Sequence, residues 1–86
     1  MATVVLPRSL VALFPGAARR ETADGATVDE LVTRLDARIP GLRARLADGP
    51  KLRPHIKVYV DAQPADLDTP VSAGATVHVI PAVSGG

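Results

Sequence analysis

The spacing of hydrophobic positions changes several times along the chain, and each change marks a predicted element. Thr3 to Leu6 (T-V-V-L) is β-branched and apolar, is stopped by Pro7, and predicts a strand. From Pro7 to Gly16 the apolar stretch is short and bounded by prolines, compatible with a loop or a single helical turn. Arg19 to Ala23 (R-R-E-T-A) alternates weakly and predicts an edge strand, where charge discourages pairing with other chains.

After the turn signal Asp24-Gly25 the period lengthens. Val28, Leu31, Val32, Leu35 and Ile39 recur at three- and four-residue steps and build one apolar helical face. Thr27 and Glu30 have the spacing of a capping box, and Asp29 and Glu30 favour the positive end of the helix dipole. Pro40-Gly41 stops this helix, and Leu42 and Leu46 predict a second short turn over Leu42 to Ala47, closed by Asp48-Gly49-Pro50. Lys51 to Pro54 reads as a basic connector. Arg34, Arg38, Arg43 and Arg45 read as a solvated helix face.

The period then shortens to two. His55 to Val60 (H-I-K-V-Y-V) places Ile56, Val58 and Val60 on one face and Lys57 and Tyr59 on the other. Asp61 to Pro64 predicts a turn, and the segment after it a short strand at most. Thr76 to Ile80 predicts the last strand, with Val77 and Val79 facing one way and His78 and Ile80 the other. Gly25-Ala26-Thr27-Val28 recurs as Gly74-Ala75-Thr76-Val77, yet the spacing that follows predicts a helix in the first case and a strand in the second. A single long helix with one face to cover and a sheet with one face to bury meet most compactly as a sheet wrapped over the helix, an α+β arrangement.

Composition narrows the chemistry. At 86 residues and 47% hydrophobic, the chain is one globular domain with a small core. Phe14 and Tyr59 are its aromatics, so Val, Leu, Ile and Ala must fill the interior. A net charge of +1 gives no bulk attraction for nucleic acid. The absence of cysteine excludes disulfides, thiolate nucleophiles and zinc–thiolate sites. The Leu10–Phe14 run is too short for a signal peptide and no stretch approaches a membrane span, so a cytoplasmic location is expected. His78 has no residues at ligand spacing, and neither a metal site nor a catalytic side chain is expected.

The remaining feature is the end, Pro81-Ala82-Val83-Ser84-Gly85-Gly86. Read alone it is a frayed terminus. Two glycines without Cβ atoms can also extend into a channel too narrow for other residues, and Gly86 would present an α-carboxylate free of any side chain.

The opening strand Val4-Val5-Leu6-Pro7, the helix entry Asp24-Gly25-Ala26-Thr27-Val28, the strand Ile56-Lys57-Val58-Tyr59-Val60-Asp61 and the run Gly74 to Gly86 occur in an order that resembles the ubiquitin-like β-grasp sulfur carriers. These include the thiamin carrier, the molybdopterin synthase small subunit and the cysteine-synthesis carrier, whose ending is the most similar. The resemblance implies a ubiquitin-like β-grasp domain over residues 1–80, with a mixed four- to five-stranded sheet over one main helix, and a flexible Gly-Gly tail over residues 81–86. It further implies a carrier that is a substrate rather than an enzyme and binds no cofactor. A ubiquitin-activating-type enzyme would adenylate Gly86 with ATP, a sulfur donor protein would convert it to a thiocarboxylate, and a biosynthetic enzyme would accept the sulfur. Val83, Ser84 and Gly85 would thread the partners' active sites. Val5, Tyr59, His78 and Ile80 would form the docking patch. Two other readings stay open: a modifier conjugated through Gly86 to lysines, or an interaction subunit with an incidental tail. Neither nucleic acid nor membrane is expected as a partner.

Overall fold

The computed structural model describes residues 1–81. The first strand is β1 (Ala2–Val5), followed by a one-turn helix, α1 (Arg8–Val11), in the segment whose pattern left loop and turn open. Pro7 precedes this helix in an extended conformation, where its lack of an N–H costs nothing. Leu10 then turns into the core. β2 (Arg20–Ala23) lies antiparallel to β1 and forms one edge of the sheet.

The main helix is α2 (Val28–Arg38). The Glu30 N–H donates to Thr27 Oγ1 at 3.2 Å, while Glu30 Oε1 accepts from the Ala26 N–H at 3.0 Å, one residue before the usual capping-box partner. Val28, Leu31, Val32 and Leu35 are buried along one face. Gly41, with φ +96°, then occupies a left-handed conformation that L side chains rarely adopt, and starts α3 (Leu42–Leu46). Asp36 Oδ1 accepts from the Gly41 and Arg43 N–H groups and so ties the two helices together.

A small hairpin follows, β3 (Ala47–Asp48) with β4 (Lys51–Leu52), where the sequence predicts only a connector. Ala47 is buried, and pairing across Gly49-Pro50 seats it there. Of the four arginines expected to be solvated, Arg34, Arg38 and Arg45 are exposed and Arg43 is half-buried, and two of the four are also bonded within the fold. Arg43 donates to Asp29 Oδ1 and to the Gly49 carbonyl, and Arg38 donates to the Thr22 carbonyl beside Glu21. Each reaches a carbonyl or carboxylate brought close by folding, which linear spacing does not reveal.

β5 (Ile56–Val60) turns back into β6 (Gln63–Ala65) through Asp61-Ala62, both at positive φ. The predicted turn is therefore shorter than expected, and Pro64 lies within a strand, at a sheet edge where a missing N–H is tolerated. β7 (Thr76–Pro81) completes a five-stranded sheet of order β2-β1-β7-β5-β6, with β1 and β7 parallel and the other pairs antiparallel. The pattern predicts a sheet over one helix, and the resemblance implies its mixed pairing; both are observed. Val4, Val58, Val77 and Val79 from the sheet meet Leu31, Val32, Leu35 and Leu42 from the helices, joined by Leu67 and Val71 from the loop before β7. The two Gly-Ala-Thr-Val copies diverge as predicted: Thr27 caps α2 and Thr76 opens β7.

Candidate functional site

β7 runs through the middle of the sheet, between β1 and β5. Its alternation buries Val77 and Val79 and turns His78 and Ile80 outward. His78 is in register with Val5 on one side and Tyr59 on the other, and the row extends to Arg20 on β2 and Pro64 on β6. Ile80 lies two residues further along, opposite Lys57. Val5 and Tyr59 are half-buried, His78 is exposed, and Ile80 is 44% exposed. The structure thus places all four predicted patch residues on one face, on three adjacent strands. Ile80 leaves much of its apolar surface in water, and Val5 and Tyr59 lie on the same face beside it.

Val83, Ser84, Gly85 and Gly86 lie outside the described residues. The strand that leads to them continues one residue beyond the predicted end, with Pro81 in register with Ile56.

Elsewhere the described residues offer little for chemistry. None of the buried residues is polar or charged, and no group of three or more His, Asp or Glu is placed to hold a metal ion. Among the described residues, no helix is long and apolar enough to cross a membrane. A groove of about 920 Å3 runs between the β3–β4 hairpin, the β5–β6 edge and the loop after β6, but no Ser, Cys or His lines it. The N-terminus of α2, a position that often binds anions, is already satisfied. The Val28 N–H donates to the Thr69 carbonyl at 3.1 Å, and the Asp29 N–H to the Leu67 carbonyl at 2.8 Å.

Arg20 and Lys57 are the charged residues of this face, and the sequence pattern did not join them to the patch. Their parity along each strand is readable, but only the strand registers bring them to the same surface.

A model of the ThiS family matches residues 6–86. The chain belongs to the ThiS family. It is a ubiquitin-like β-grasp protein of the sulfur-carrier group that the order of sequence elements resembles. Among solved structures, a chain of the Amycolatopsis orientalis BexX/CysO complex is 33% identical to this ThiS-family chain, with 100% of each covered and a TM-score of 0.88. Mycobacterium tuberculosis CysO is 28% identical over 96% of this chain and 100% of its own, also with a TM-score of 0.88. Small archaeal modifier protein 1 of Haloferax volcanii is 29% identical over 95% of this chain and 97% of its own, with a TM-score of 0.73. No curated protein sequence matches significantly.

Proposed function

We propose that this ThiS-family chain carries sulfur as a thiocarboxylate on Gly86. The observation that carries the reading is a family match that runs through Gly85-Gly86. A carboxylate is ionised at neutral pH and is a poor electrophile, so it must first acquire a leaving group. An activating enzyme of the ubiquitin-activating type supplies one by joining Gly86 to the AMP portion of ATP, with release of pyrophosphate. A sulfide equivalent delivered by a donor protein then attacks the acyl carbon, AMP leaves, and the thiocarboxylate remains. A biosynthetic enzyme takes the sulfur from it.

In this reading the chain is a substrate of its partners. The face around Val5, Tyr59, His78 and Ile80 docks on them, and Val83, Ser84 and Gly85 pass into their active sites. Five residues beyond Pro81 could span at most about 18 Å. The likeness to a chain of the BexX/CysO complex supports the expectation of a protein partner for this small domain. The likeness to small archaeal modifier protein 1 favours a second use of the same end, conjugation of Gly86 to lysines of other proteins. Gly-Gly remnants on cellular lysines after tryptic digestion would identify that use.

ATP–pyrophosphate exchange with the activating enzyme from the same cells tests the first step. Exchange should depend on this protein and disappear when Gly86 is removed. Equal exchange with the truncated protein would contradict the assignment to Gly86.

A further inference from the structure

The outward face of the sheet carries cations and no acids. Its charged positions are Arg20, paired with Val5, and Lys57, paired with Ile80. Glu21 is the sheet's single acidic residue, and its register with buried Val4 turns it to the inner side, near Arg38. Every other Asp and Glu lies off the five-stranded sheet. Asp61, at the far end, accepts from the Thr76 N–H, and Asp66 follows β6.

Arg20 and Lys57 also differ from half of the other cations. Arg19, Arg38, Arg43 and Arg53 each donate to a carbonyl or carboxylate of the fold. Arg20 and Lys57 are exposed and take no part in the ion pairs or side-chain hydrogen bonds of the described residues. Their strands are three spacings apart, about 14 Å, with the apolar residues of the face between and around them. Unpaired charges at the edge of an apolar patch contribute mostly to the rate and selectivity of association, because they meet the partner first and remain partly hydrated. Two cations cannot follow a run of phosphates, and an apolar centre adds nothing to binding a nucleic-acid backbone.

We infer that this face selects a partner surface with an apolar centre and carboxylates at its rim, and that Arg20 and Lys57 supply the selection. The inference rests on the carrier reading and names the surface chemistry of the activating enzyme that this domain fits. Complementary charge on the partner accelerates encounter, and a partner with a basic rim is rejected.

The test is the concentration of carrier needed for half-maximal ATP–pyrophosphate exchange, measured from low to high NaCl. Arg20→Glu and Lys57→Glu should each raise it about tenfold at low salt, leave the maximal rate unchanged and flatten its salt dependence. Arg20→Gln and Lys57→Gln should give smaller shifts in the same direction. Arg34→Glu and Arg45→Glu, exposed cations on the helical side, should leave it unchanged, and equal unfolding midpoints would show that the variants fold. Wild-type values for the Arg20 and Lys57 variants, or equal losses in the Arg34 and Arg45 variants, would overturn the inference while exchange itself upheld the carrier reading. No exchange with the unaltered protein would remove the carrier reading. Binding to phosphatidylserine vesicles or duplex DNA that Arg20→Glu and Lys57→Glu abolish, with exchange unchanged, would reassign the face and overturn the inference.

Discussion

Gly25 shows how one atom can decide the entry to the main helix. A Cβ built there would lie 2.9 Å from the Leu31 backbone nitrogen and 3.0 Å from Glu30 Cβ. The neighbour is the first turn of α2, which cannot move without losing its cap. Gly25→Ala is therefore expected to lower stability by about 2 kcal/mol in urea unfolding, as overpacking against fixed backbone does. Thr27→Ala removes the acceptor for the Glu30 N–H and should cost about 1 kcal/mol by the same measurement. The cap was legible from the Thr27–Glu30 spacing. The steric role of Gly25 was not, because Asp-Gly also marks an ordinary turn.

Among elements, the β5–β6 hairpin and the loop before β7 carry the clearest expectations. Asp61 and Ala62 both have positive φ, 47° and 71°, in a two-residue connection that favours glycine at the second position. Ala62→Gly should stabilise the protein by about 0.5–1 kcal/mol, the left-handed strain outweighing the added freedom of the unfolded chain. A lower unfolding midpoint would contradict that assignment. The loop from Asp66 to Val71 buries Leu67 and lends its carbonyls to the first N–H groups of α2. Leu67→Ala should cost about 3 kcal/mol.

The helix and the longer strands were legible because each shows its period over several residues. The β3–β4 hairpin and β6 were not, since two- and three-residue strands are shorter than any period. The Asp66–Val71 loop lacks a period altogether. Leu67 and Val71 join the core because the chain must cross the top of α2 on its way to β7. Val5, Tyr59, His78 and Ile80 were legible as outward positions on separate strands. Their assembly into one row required the strand order, with β1 and β7 adjacent and parallel.

At the scale of the whole molecule, the two sides of the sheet divide the work. The inner side, with the helices, holds the buried core, and most of the acidic residues lie away from the sheet. The outer side presents Val5, Tyr59, His78 and Ile80 with Arg20 and Lys57. The strand through its centre leads directly into the residues that end in Gly85-Gly86. A domain of this kind needs no active site of its own if its role is to be recognised on one face and to present one acyl group. Recognition and chemistry should then separate in experiment: changes to the outer face alter the concentration of carrier required, and changes to Gly86 abolish the product. The intact mass of the protein after incubation with its activating enzyme, ATP and a sulfide source tests this account most directly. A thiocarboxylate carrier should gain the mass of one sulfur in exchange for one oxygen, located at Gly86 by fragmentation and absent from the Gly86-truncated chain. An unchanged mass, or the same gain in both proteins, would contradict it.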